Sequence, residues 1–120
     1  MLSSGIIVVP GNPVSVNSAY RRMPGRYGMF LAAEARGWKE SVAWAAKTDW
    51  KKPMLFGRVA IEIILYYADF RRRDIDNSQK LIFDGLAGIV YRDDSQIDDI
   101  RIVRRHDKKK PRVEITAREI

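Results

Sequence analysis

Two aspartates separated by one residue, Asp74 and Asp76, are the first feature of this sequence that could do chemistry. In an extended backbone, side chains at positions i and i+2 point to the same side, so these two carboxylates converge. Lys80 lies four residues after Asp76, one turn along the helix expected here, so its ammonium group can reach the carboxylates or a phosphate held between them. The positive N-terminal end of that helix faces the same place.

More aspartates follow the expected helix, at positions 93, 94, 98 and 99, and a chain returning alongside the helix could bring one of them to the first pair. Clustered carboxylates repel one another, and a divalent cation relieves that repulsion. The chain has no cysteine and one histidine, so thiolate and multi-histidine zinc sites are excluded. Oxygen ligands suit Mg²⁺, and the matching reaction is phosphodiester hydrolysis by metal-activated water, with Lys80 adding positive charge at the transition state.

Each of these residues also has a purely structural interpretation, and together these interpretations form the alternative to a metal site. They are a helix cap at Asp76 with Gln79, an ion pair of Asp74 with Arg71 or Arg72, a turn at Asp93 and Asp94, and an exposed i,i+4 pair of Lys80 with Asp84. Each structural interpretation is plausible singly, but the absence of a metal site requires all four to hold at once.

The charge of the chain indicates a polyanionic partner. The sequence contains 22 Lys and Arg against 15 Asp and Glu, a net charge of +7, and a positive field favours encounter with nucleic acid or an anionic surface. Eight of the 15 acidic residues are aspartates between positions 69 and 99, and basic residues crowd the segment that follows. The basic residues that we expect to contact nucleic acid are Arg71, Arg72, Arg73, Arg101, Arg105, Lys108, Lys109 and Lys110, and the alternative is an ordinary solvated surface.

Four strands are predicted. Residues 6–9 form a short apolar run that Pro10 ends, and residues 58–67 are nearly continuous in β-branched and aromatic side chains, which is typical of a central strand. Residues 97–105 and 111–117, joined by a basic turn, are predicted to form an antiparallel hairpin.

Two helices are predicted between these strands. In residues 31–47, Leu31, Ala35, Trp38, Val42 and Ala45 share one helical face. The second helix is expected over residues 77–88, whereas the segment 20–30, rich in Gly and Arg, is predicted to be a loop or loose hairpin.

This order predicts a small single α/β (α+β) domain over residues 1–120, with a mixed sheet packed by two helices. No apolar run approaches the ~20 residues that span a bilayer, and the N-terminal residues lack the pattern of a signal peptide. We therefore expect a cytoplasmic protein with no membrane partner.

The run RRRDIDN at positions 71–77, followed by Lys80, Asp84, Gly88 and the run DDSQI at positions 93–97, resembles the signature of the RusA-type Holliday junction resolvases. Residues 13–20 (PVSVNSAY) are similar to the N-terminal motif of that family. The resemblance covers essentially the whole chain. The segment between Lys80 and the second aspartate pair is slightly shorter than in the best-known members, which keeps Asp93 as the alternative to Asp94. The family's double proline is here Pro13-Val14.

The resemblance implies a homodimeric crossover junction endodeoxyribonuclease that uses Mg²⁺ or Mn²⁺, with no organic cofactor, to nick two strands of a four-way DNA junction symmetrically. It implies that Asp74, Asp76 and Asp94 bind the metal, that Lys80 is catalytic and that Arg73 contacts DNA. Because a four-way junction has approximate two-fold symmetry, paired nicks need two active sites, which a dimer supplies. The alternative is a non-catalytic nucleic-acid-binding module whose carboxylates are structural.

Overall fold

The structure, a computed structural model, describes residues 5–14, 26–72, 75 and 78–120, and only the backbone of residues 26–32. Its elements are β1 Ile7–Pro10, α1 Arg26–Asp49, β2 Val59–Tyr67, α2 Gln79–Leu86, a 3₁₀ helix Asp94–Gln96, β3 Ile97–His106 and β4 Arg112–Glu119. They form a small α+β domain, so the predicted fold class and element order are confirmed.

The four strands form one mixed sheet in the order β1-β4-β2-β3. β3 runs parallel to β2, and β4 runs antiparallel to both β1 and β2. The prediction that β2 is central is confirmed. Because β2 and β3 are parallel, the chain must cross over the sheet between them, and α2 makes that crossover.

One face of the sheet packs against both helices. Along β2 every second side chain, from Val59 to Tyr67, is buried, and α1 contributes the predicted face of Ala35, Trp38, Val42 and Ala45 to the same core. The two helices approach closely at Gly85, where a Cβ atom would lie 2.7 Å from Cγ1 of Val42. The hydrophobic core thus fixes α2, and the loop that follows it, against the start of β2.

The predicted C-terminal hairpin is wrong. β3 and β4 are antiparallel, but β2 lies between them and pairs with both. The apolar β2 gains two hydrogen-bonding neighbours in this way. The five residues between His106 and Arg112 cross the end of β2, a span of about 10 Å, and the backbone N–H of Asp107 donates to the Tyr67 carbonyl at 2.9 Å.

Two predictions about helix boundaries also need correction. α1 begins at Arg26, so residues 26–30 are helical and not a loop, because one glycine costs a helix only about 1 kcal/mol. Residues 20–25 lie outside the described part of the chain. At α2 the N-cap is Ser78, whose side chain makes no capping hydrogen bond, and the helix begins at Gln79, two residues later than predicted from a cap at Asp76. Asp76 itself lies outside the described residues.

The opposite face of the sheet is not covered by either helix. It carries Val8, which is 39% exposed, and the half-buried Ile64, Tyr66 and Val103. We call this surface, with the strand residues in register with them, the open face. Neither helix in the described part of the chain combines the length and the apolar character that crossing a membrane requires.

Candidate active site and nucleic-acid interface

The turn that carries Asp93 and Asp94 is held by the side chain of Gln96. Its amide oxygen accepts the backbone N–H groups of Arg92 (2.8 Å) and Asp93 (3.0 Å), and its amide nitrogen donates to the carbonyls of Leu55 and Gly57, both at 2.9 Å. Gln96 is 9% exposed. Four hydrogen bonds from one nearly buried side chain therefore fix the turn to the segment that enters β2.

Asp93 and Asp94 have different roles in this turn. The carboxylate of Asp93 accepts the backbone N–H of Ser95 at 3.1 Å and completes a capping box with Gln96. Hydrogen bonds from the side chain of Ser95 and then from its backbone N–H hold the pKa of Asp93 below its usual value. Asp94 is exposed, and within the part of the chain that the structure describes its carboxylate makes no hydrogen bond or ion pair. Asp94 is thus the member of the pair that can accept a cation.

A second clamp holds the end of the same turn. The Arg58 guanidinium donates to the carboxylate of Asp98 and, at 2.8 Å, to the carbonyl of Ser95. The hydrogen bond from Arg58 lowers the pKa of Asp98. Asp98 is therefore engaged by an arginine, which favours Asp94 over Asp98 as a metal ligand.

Tyr91 fixes the loop that follows α2 to that helix. Its ring is fully buried, and its hydroxyl donates to the carbonyl of Phe83 in α2 at 2.9 Å. Burial, followed by the negative charges of Asp94, Asp84 and Asp93, raises the pKa of Tyr91. The phenol stays protonated and acts as a hydrogen-bond donor that ties the loop to α2.

Lys80 lies in the first turn of α2, as predicted. Its ammonium group is 3.6 Å from the carboxylate of Asp84, and the two side chains are 67% and 38% exposed. Lys80 and Asp84 therefore form the exposed i,i+4 pair that the purely structural interpretation predicts. Because an exposed pair of this kind contributes only about 0–1 kcal/mol, a phosphate could replace Asp84 as the partner of Lys80 at little cost.

The other predicted site residues, Arg73, Asp74 and Asp76, lie outside the described residues. The residues around them are described: Ile75 is exposed and Ser78 is buried. Among the described residues alone, no three acidic or histidine side chains form a metal cluster. Asp94 lies beside the start of β2, whereas Asp69 follows its end, and the other two predicted ligands, Asp74 and Asp76, belong to the segment that leads from Asp69 to α2.

Most of the predicted DNA-binding residues lie at one end of the sheet, where β2 and β3 finish. Exposed side chains there are those of Arg71, Arg72, Arg105, Lys108, Lys109 and Lys110. Arg101 differs, since it lies in the middle of β3 and its guanidinium is 3.3 Å from the carboxylate of Glu62. Positive charge is therefore concentrated at the end of the sheet where β2 and β3 finish.

The loop that carries these lysines is ordered by Asp107. One carboxylate oxygen of Asp107 accepts the backbone N–H groups of Lys109 and Lys110, both at 3.1 Å, and the other lies 2.8 Å from the Arg112 guanidinium. The hydrogen bond from Arg112 is the main cause of the lowered pKa of Asp107. Arg112 also stacks over the Tyr66 ring at 3.8 Å. The lysine side chains are thus left to face solvent from a fixed backbone.

Sequence reasoning included Gln96 in the second acidic motif but missed its structural role, and it missed Arg58. The spacing of Asp93 and Gln96 fits a capping box and could have identified the cap, but the bonds of Gln96 to residues 55 and 57 depend on tertiary contacts.

The family model described as endodeoxyribonuclease RusA matches residues 10–118. The chain is 37% identical over 110 residues to "Crossover junction endodeoxyribonuclease RusA" of Escherichia coli K12, covering 90% of this chain and 89% of that protein. The protein of Enterobacteria phage 82 gives the same values, and that of Shigella sonnei is 36% identical with the same coverage. These matches confirm the family and the prediction of a nuclease made from positions 71–97. The chain belongs to the RusA family of endodeoxyribonucleases.

Proposed function

We propose that this chain is a Mg²⁺-dependent endonuclease that resolves four-way DNA junctions by paired symmetric nicks. The observation that carries the proposal is the carboxylate of Asp94, which no residue in the described part of the chain engages, held on a fixed turn at the second acidic motif of a RusA-family chain. Relatives named as crossover junction endodeoxyribonucleases support the substrate class.

Asp74, Asp76 and Asp94 would bind the divalent cation. Their carboxylates are the hard oxygen ligands that Mg²⁺ prefers, and Mn²⁺ accepts the same donors. When bound, such an ion lowers the pKa of a coordinated water and neutralises charge on the phosphate. Gln96 orients Asp94 through the backbone of the turn, and Lys80 would exchange Asp84 for a phosphate oxygen and support the charge that develops there.

Cleavage of DNA of different shapes tests this function. We expect the purified protein to cut a synthetic four-way junction with Mg²⁺, to be silent with EDTA, and to leave a linear duplex of the same sequence intact. Product lengths on denaturing gels measure the reaction and show whether the two nicks are symmetric. Binding without cleavage, governed by monovalent salt alone, would instead support the non-catalytic binding module.

We further propose that the enzyme is a homodimer joined through the open face. Val8, Ile64 and Val103 lie in one row across this face, and Glu114 lies between Val8 and Ile64. We call these three apolar residues the strip. Four charged residues of this side of the sheet are paired within the subunit, since Glu62 pairs with Arg101, and Arg112 lies 2.8 Å from Glu114. Arg105, in register with Tyr66, is exposed, so we place it at the margin of the contact. A second copy packed sheet on sheet would bury the strip beside these pairs, and it would place two sites at a fixed separation.

The substitution Ile64→Lys tests the interface. Ile64 faces away from the helices, so its replacement should leave the subunit folded while a charge at the centre of the strip breaks the dimer. Light scattering should give twice 13.8 kDa for the wild-type chain and one subunit for the variant. Trp44→Lys adds the same charge on the exposed side of α1 and should remain dimeric. A dimeric Ile64→Lys protein would contradict this interface.

A further inference from the structure

Phe70 is an aromatic side chain that the hydrophobic core does not use. It is 82% exposed, more than any other large apolar side chain described. It follows the end of β2 and lies four residues before Asp74, a stretch of chain that spans at most about 14 Å. The end of β2 is also the end of the sheet at which the exposed arginines and lysines lie.

The ring of Phe70 is held in one orientation. His106, the last residue of β3, stacks on it with ring centroids 3.8 Å apart and an interplanar angle of 24°. One face of the Phe70 ring is therefore supported by the protein, and its exposure leaves the opposite face open to solvent.

The backbone under the ring is also fixed. The N–H of Ala68 donates to the side-chain oxygen of Asn12 at 3.0 Å, and the N–H of Arg71 donates to the Asp69 carboxylate at 3.0 Å. The Tyr67 carbonyl accepts from Asp107. Because ring and backbone are both ordered, little conformational entropy remains to be lost when a flat partner stacks on the open side.

The positive charges around the ring favour a polyanion as the partner that stacks on it. Arg71 and Arg72 follow Phe70 directly, and the exposed lysines 108–110 follow His106 by two residues. The nearby carboxylate of Asp107 is engaged by Arg112 and by backbone N–H groups. An aromatic face within positive charge is the arrangement that binds an unstacked nucleobase together with its phosphates.

We propose, on the basis of the junction endonuclease proposed above, that Phe70 is a platform on which a nucleobase exposed at the branch point stacks. In a continuous duplex both faces of every base are covered by neighbouring bases. At a branch point this stacking is interrupted, so a base face is available there. Phe70 would thus discriminate a junction from a linear duplex by recognising the base face that only the junction exposes.

Binding of Phe70→Ala to both DNA shapes tests the platform. Loss of one base stacked on an aromatic ring weakens binding by about 5- to 150-fold. We expect this loss for a four-way junction, measured by fluorescence anisotropy in Ca²⁺ without cleavage, and no change for a linear duplex. Phe70→Tyr, which keeps the ring face, and Trp44→Ala, which removes an exposed aromatic residue of α1, should bind both DNAs as the wild type does.

A second readout reports stacking itself. The fluorescence of 2-aminopurine at the branch point should be quenched when the wild-type protein binds, and this quenching should be absent with Phe70→Ala. Equal loss of affinity for both DNAs, unchanged junction binding, or a change of subunit mass in Phe70→Ala would overturn the platform. Cleavage of junctions by the wild-type protein tests the proposed endonuclease function independently of the platform. If the wild type cleaves junctions, the endonuclease function stands even when the platform is overturned, and if it does not cleave them, that function is overturned.

Discussion

Asp94→Asn should abolish junction cleavage, and Asp93→Asn should leave it nearly intact, although the two residues are adjacent. Among residues 5–14, 33–72, 75 and 78–120, whose side chains are described, none pairs with the Asp94 carboxylate. A neutral amide in its place is a poor ligand for Mg²⁺. Removal of a ligand from the metal should lower the single-turnover rate by about 10³-fold or more. Asp93 serves as the cap of the 3₁₀ helix, a role that asparagine also fills well.

Affinity for the junction provides the control for this pair. Both variants should bind the junction at least as tightly as the wild type, since each substitution removes a negative charge near phosphate. Rapid cleavage by Asp94→Asn, or equal loss of activity in both variants, would show that Asp94 is not the ligand that this motif supplies.

Gln96→Ala should lose both stability and catalytic rate. The substitution deprives two backbone N–H groups and two carbonyls of their partner, and we expect the free energy of unfolding to fall by about 2–3 kcal/mol. The turn is then no longer fixed to residues 55 and 57, so the rate of cleavage should fall at temperatures at which the variant is folded. Urea unfolding and single-turnover cleavage measure the two effects.

Arg92→Ala is the matched control for Gln96→Ala. Arg92 is exposed and contributes its backbone N–H, not its side chain, to the network around Gln96, so its replacement should change stability by less than about 0.5 kcal/mol. A positioning role for Gln96 requires that the cleavage rate fall while junction affinity is kept. If affinity falls in parallel with rate, Gln96 acts on overall folding and not on Asp94.

Much of the fold follows from the spacing of apolar residues. The run VAIEIILYY identified β2 as central, and the helical face from Ala35 to Ala45 is buried as its periodicity predicts. The pairing of β3 and β4 could not be predicted in the same way, since a basic five-residue turn suits both neighbouring strands and strands on either side of a third. The choice depends on β2, whose two edges both need partners.

The candidate site, like the fold, could be predicted from the sequence only in part. Residue types and order predicted the acidic motifs and Lys80, but the sequence treats Asp93 and Asp94 as equivalent. Their difference arises from the capping box, which uses the carboxylate of Asp93 and not that of Asp94. Phe70 escaped the sequence reasoning because its partner, His106, is distant in the chain and approaches it only through the parallel pairing of β2 with β3.

The central claim is that Asp74, Asp76 and Asp94 bind one divalent cation, and a crystal of the protein grown with Mn²⁺ tests it most directly. An anomalous difference map should show a peak with carboxylate oxygens of all three residues, from one subunit or from two, within about 2.2 Å. A map without such a peak at Asp94, or with Mn²⁺ bound only by other residues, would contradict the account.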